Sequence, residues 1–109
     1  MTAAKSANGD LEHLRVIVYR EGDLYVAQGI DHDIATQAPD IPTLLERLDL
    51  TIEAECAMSR DKHSEPFAGI APAPNYFHAL WNKRSVSLHH MEVPVGHHFK
   101  VEVALANAA

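Results

Sequence analysis

Asp31-His32-Asp33 is the densest group of reactive side chains in this sequence. Two carboxylates flanking an imidazole could hold a hard divalent cation and supply a base, the minimum for a metal-dependent hydrolase. The same three residues are ordinary turn chemistry between two extended segments. Neighbouring side chains on a strand point to opposite faces, so all three converge only where the turn folds them inward. The turn reading is therefore preferred. His89-His90 and His97-His98 invite a metal reading as well, but strand geometry sends the two rings of each pair apart. A site would need one ring per pair and a third ligand such as His13 or Asp31. The plainer expectation is edge-strand histidines on a solvated or subunit-facing surface, where titration near a pKa of about 6.5 would make association pH-sensitive. Ser87 and His89 share a strand face, yet no Gly-x-Ser-x-Gly turn accompanies them, and Cys56 falls on the apolar side of a helix, where a thiol packs inertly. The isolated glycines form no phosphate-cradling loop. No catalytic residue, metal ligand or cofactor is assigned, and the chain reads as non-catalytic.

Two groups could instead contact a macromolecule. Glu46, Asp49 and Glu53 recur along one side of a helix and repel one another by a few tenths of a kcal/mol per neighbouring pair, unless a cation from elsewhere relieves them. Tyr76, Phe77, Leu80 and Trp81 share one face of a second, short helix. That aromatic face either closes the open end of the core or anchors a partner, since Trp and Tyr dominate interface hot spots. Glu46, Asp49, Glu53, Tyr76 and Trp81 are the candidate partner-binding residues. An alternative is an RNA-binding module that uses Trp81, Lys83, Arg84 and Lys100. Lys83 and Arg84 also suit a helix C-terminus without any such role.

The elements that position these residues must fit within 109 residues and 12.0 kDa, enough for one domain over residues 11–109 behind a small, polar, flexible tail at residues 1–10. The net charge of −6 lies entirely before residue 61. It disfavours polyanionic partners, nucleic acid and anionic membranes alike, and favours a basic protein. One cysteine permits no internal disulfide, and no run of about 20 apolar residues exists to span a membrane, so a cytoplasmic location is expected.

Along the chain, Leu14, Val16 and Val18 alternate with Arg15, Ile17 and Tyr19, which marks a strand. Gly22 supplies a turn, Leu24 to Gly29 returns, and Ile34 to Ala38 completes a meander. Thr43 and Glu46 have the spacing of a capping box opening a helix to about Arg60, with Leu44, Leu45, Leu48, Thr51, Ile52 and Cys56 on its sheet-facing side. A Pro-rich loop over residues 61–74 precedes the short helix, which Pro74 opens and which ends near Arg84. Ser85 to Glu92 and Phe99 to Ala106 are the last two strands. The predicted architecture is α+β: an antiparallel β-sheet with one long helix packed on one face and a short second helix.

The run Leu24-Tyr25-Val26-Ala27-Gln28-Gly29-Ile30, the short strand after it and the helix opening Thr43-Leu44-Leu45-Glu46-Arg47-Leu48 resemble the HicB-like antitoxin family over residues 14–60. The resemblance implies a β-β-β-α-β core similar to a partial RNase H-like fold. It also implies binding to a small RNase toxin and frequent homodimerisation. The chain departs from the family pattern at Ala38-Pro39-Asp40-Ile41-Pro42, where a glycine is usual, and in the aromatic insert over residues 61–84. With no DNA-binding segment after Ala109, toxin neutralisation or another binding role is the expectation that carries over, without repression.

Overall fold

The computed structural model describes residues 11–62, 67–94 and 98–106. The expected tail at residues 1–10, and His97, lie outside them. Seven elements follow in order: β1 (Leu11–Glu21), β2 (Leu24–Gly29), β3 (Ala35–Ala38), α1 (Ile41–Asp61), α2 (Asn75–Asn82), β4 (Arg84–Pro94) and β5 (His98–Ala106). The five strands form one sheet in the order β3-β2-β1-β5-β4. The α+β class and the long helix on one face are as the sequence predicts.

The β1–β2 hairpin turns at Gly22, whose φ of +65° a side chain would resist. β3 adds antiparallel to β2. The sheet is mixed rather than antiparallel throughout, because β5 lies parallel to β1 with Leu14 opposite Val101 and Val16 opposite Val103. The chain crosses from β3 through α1 and α2 and enters β4 at the far edge, so its antiparallel return as β5 runs in the direction of β1.

Alternation along β1 divides the interior in two. Leu14, Val16 and Val18 join Val101 and Val103 under Leu44, Leu48, Ile52 and Cys56 of α1. Ile17 on the opposite face joins Ala104 and Ala106 under Trp81 of α2, with Tyr19, Phe77 and Leu80 at the margin. The aromatic helix therefore covers the second face of the sheet instead of closing an open end of the first core. Burying a large apolar side chain is worth about 1.5–3 kcal/mol, so each face contributes materially to stability.

The N-terminus of α1 is capped by Asp40, not by Thr43. The Asp40 carboxylate accepts the Thr43 backbone N–H at 2.8 Å, and its carbonyl accepts the first helical N–H, from Leu44, at 3.0 Å. Pro42 sits in the first turn, where a missing N–H costs nothing. Glu46 is left free of a capping role and points to solvent. Thr51 is only half-buried and turns its hydroxyl back onto the Arg47 carbonyl at 2.9 Å.

Candidate functional site

The Asp31-His32-Asp33 turn is built into the fold. The Arg15 guanidinium grips the Asp31 carboxylate from two nitrogens, at 2.7 Å and 3.1 Å to Oδ1, and the Arg15 backbone N–H donates to Oδ2 at 2.7 Å. Burial works against the Asp31 charge. The bonds from Arg15 and the nearby His13 outweigh it and hold the carboxyl below the usual aspartate range. The bond to Asp31 correspondingly raises Arg15. Asp33 accepts from the buried Gln28 amide at 2.8 Å, and its backbone N–H donates to the Ala71 carbonyl. His32 donates from Nδ1 to the Ile70 carbonyl at 3.1 Å and stacks on Phe67, with ring centroids 4.9 Å apart. Phe67 is fully buried at a φ of +64°, a conformation that costs a non-glycine residue about 1–3 kcal/mol, and the stack on His32 helps to hold it. The three residues thus point to three different partners and fasten the loop between the helices to the sheet.

Among the described residues no group of three or more His, Cys, Asp and Glu side chains is arranged to hold a metal ion. His13 instead lies 3.3 Å from Glu102. The side chains of His89, His90 and His98 fall outside the described part of the structure. In the backbone register, Ser87 lies opposite Ala104 and His89 opposite Val103. Two residues of β4 thus span one step of β5, a bulge in the backbone ladder between Ser87 and His89.

The five candidate partner-binding residues separate onto two sides of the molecule. On α2, Trp81 is buried, 5% exposed, with the Arg84 guanidinium 4.4 Å and the Arg15 guanidinium 5.9 Å from its ring centroid. Arg84 also donates to the Trp81 carbonyl at 3.0 Å. Trp81 is thus a core residue, and both it and Arg84 already serve the packing of α2. Tyr76 stands in solvent, 65% exposed, with its ring edge-on to Phe77.

Glu46, Asp49 and Glu53 lie across the sheet on α1. Glu46 and Glu53 are exposed, and none of the three forms an ion pair among the described residues. Asp49 is half-buried at the rim of the helix, and its Oδ1 is buried without a hydrogen-bond partner. The spacing of the helix places Leu50 at the middle of this outward face, 63% exposed, with Glu46 and Glu53 to one side and Met58, 47% exposed, further along. The sequence reading missed Leu50. The available signal was its phase: it falls outside the three- and four-residue spacing of Leu44, Leu48 and Ile52, so a leucine there faces away from the sheet.

This outward face of α1 thus carries an exposed leucine beside carboxylates that form no ion pair among the described residues. No helix among the described residues is long and apolar enough to cross a membrane. No family model matches the chain, and no significant similarity to a curated protein or to a solved structure was found.

Proposed function

We propose that this chain is a non-catalytic protein-binding module of HicB-like type, which engages a basic protein partner through the outward face of α1. A small RNase toxin is the partner class that the resemblance implies. One observation carries the reading: Leu50 is 63% exposed on the outward side of a helix whose carboxylates, Glu46, Asp49 and Glu53, form no ion pair among the described residues. An apolar anchor with carboxylates along one flank suits a partner that presents an apolar contact with cations beside it. The orphaned Asp49 Oδ1 adds an acceptor that a donor from the partner would satisfy. The β-β-β-α order of the first four elements is the one that opens the core the resemblance implies.

The test is retention of a partner from native lysate at low and high salt, with the captured protein identified and the wild type compared with Leu50→Asp and with Glu46→Lys/Glu53→Lys. A basic protein held at low salt, released at high salt and lost by both variants while their circular dichroism is unchanged supports the proposal. No captured protein, or one that both variants retain, overturns it.

A further inference from the structure

We infer that the corner formed by Tyr19, Tyr76 and Phe77, beside the carboxylate of Glu21, is a binding site for an arginine side chain presented by another protein. Tyr19 follows Ile17 by two residues on β1 and so shares the face of the sheet that α2 covers. Glu21 continues that face to the end of the β1–β2 ladder. Tyr76 and Phe77 reach the same place from the first turn of α2. Tyr19 and Phe77 are only partly buried at the margin of the second core, and Tyr76 is 65% exposed. The three rings make a corner. The ring of Tyr19 is inclined by 33° to that of Phe77 with centroids 6.0 Å apart, and the ring of Tyr76 stands at 79° to Phe77 with centroids 5.1 Å apart. Burial is the largest cause raising the pKa of the Tyr19 hydroxyl, and Glu21 and Tyr76 raise it further, which agrees with their lying beside it.

The chemistry of the corner selects a cation, and among cations a guanidinium. The face of an aromatic ring is its negative part and attracts positive charge. Elsewhere the chain seats its own arginines on such faces: Arg84 and Arg15 lie 4.4 Å and 5.9 Å from the Trp81 centroid, and Arg20 lies 5.6 Å from that of Tyr25. Among the described residues no guanidinium lies over Tyr19 or Tyr76, and Glu21 forms no ion pair. A planar guanidinium can lie along a ring while its N–H fork engages a carboxylate, a geometry that a point-like ammonium lacks. The local sign of charge agrees. The start of α2 carries roughly half a positive charge, whereas Glu21 and, two residues on, Asp23 are full anions exposed at the hairpin tip. This corner lies across the sheet from Leu50, so it does not rest on the proposed contact of α1.

The experiment is a titration of the full chain with Nα-acetylarginine amide, followed through the ring-proton NMR shifts of Tyr19, Tyr76 and Phe77, with a melting curve for every variant. The citrulline amide serves as the neutral isostere and the lysine amide as the other cation. The arginine amide is expected to shift the three rings along one saturating curve, and the citrulline amide to give no saturating shift. The lysine amide is expected to bind about threefold more weakly. Tyr76→Ala, which removes an exposed ring, and Glu21→Gln, which removes the charge, are each expected to weaken binding about threefold without lowering the melting temperature. Leu50→Asp is expected to bind the arginine amide as the wild type does, so failure at this corner and failure of the α1 contact are read separately. No saturating shift with the arginine amide, an equal response to citrulline, or wild-type affinity in either Tyr76→Ala or Glu21→Gln overturns the inference. A lysine amide that binds as tightly overturns the assignment to arginine, and the inference with it.

Discussion

At the scale of single residues, the Arg15–Asp31 pair is the most consequential contact of the structure, because one carboxylate satisfies a guanidinium and a backbone N–H while fixing the turn that follows β2. Asp31→Asn removes the charge and weakens both bonds, and is expected to cost about 1–3 kcal/mol, measurable as a lowered denaturation midpoint. The folded carboxyl titrates below its unfolded value, so its contribution is fully present above the unfolded pKa of about 3.9 and is lost as pH falls through the lower, folded value. Wild-type stability should therefore decline below about pH 4 more steeply than that of the variant, and the two curves should converge in acid. Equal slopes would show that Asp31 is not the group titrating. The sequence reading singled out Asp31 as chemistry-bearing but could not see its partner, since sixteen residues separate it from Arg15. Contacts between strands at that distance leave no local period to read.

At the scale of elements, α1 illustrates how a helix can be legible in its body and misread at its start. Its buried side follows directly from the spacing of Leu44, Leu48, Ile52 and Cys56. The cap was less visible, because the Thr43–Glu46 spacing has the form of a capping box while Asp40, two residues before Pro42, makes the bond. Asp40→Ala is expected to cost about 1 kcal/mol and Asp40→Asn far less, whereas Glu46→Ala should stay within about 0.5 kcal/mol of wild type. Equilibrium unfolding of the three variants separates the two caps. The end of β2 offers a second check. A Cβ at Gly29 would run into the His32 carbonyl, a backbone atom that cannot move aside without disturbing the turn. Gly29→Ala should cost about 1–3 kcal/mol, and a neutral result would mean that this turn yields easily. The placement of α2 was not legible at all. Its amphipathic face says that it packs, and only the alternation of Ile17 against Val16 and Val18, combined with the position of β5, decides which side of the sheet it covers.

At the scale of the whole molecule, two helices on opposite faces of the sheet keep the outward side of α1 apart from the aromatic packing of α2. A change on one should therefore leave the other intact. Leu50→Asp is expected to leave the melting temperature nearly unchanged, because its side chain gains little from folding. Trp81→Ala should cost about 3–5 kcal/mol, because it empties the second core. Thermal melts of both variants would test that separation, and a strongly destabilised Leu50→Asp would contradict the exposure on which the proposed interface rests. The acidic bias of the chain before residue 61 was plain from composition, and it is the part of the proposed function that the sequence already contained. The mixed sheet was not, because nothing in the pattern of β5 says that it lies beside β1 rather than at an edge.

That parallel pairing also bears on how the chain reaches its native state. β1 is the first and β5 the last strand among the described residues, so their parallel ladder closes a longer loop than any other strand pair of the sheet. During synthesis the meander β1-β2-β3 and the body of α1 emerge first, and they must wait with the apolar flank of β1 open until β5 leaves the ribosome. Refolding should accordingly be slow for so small a protein, and a chaperone that shields β1 during that interval would raise the yield more than one that acts on the helices.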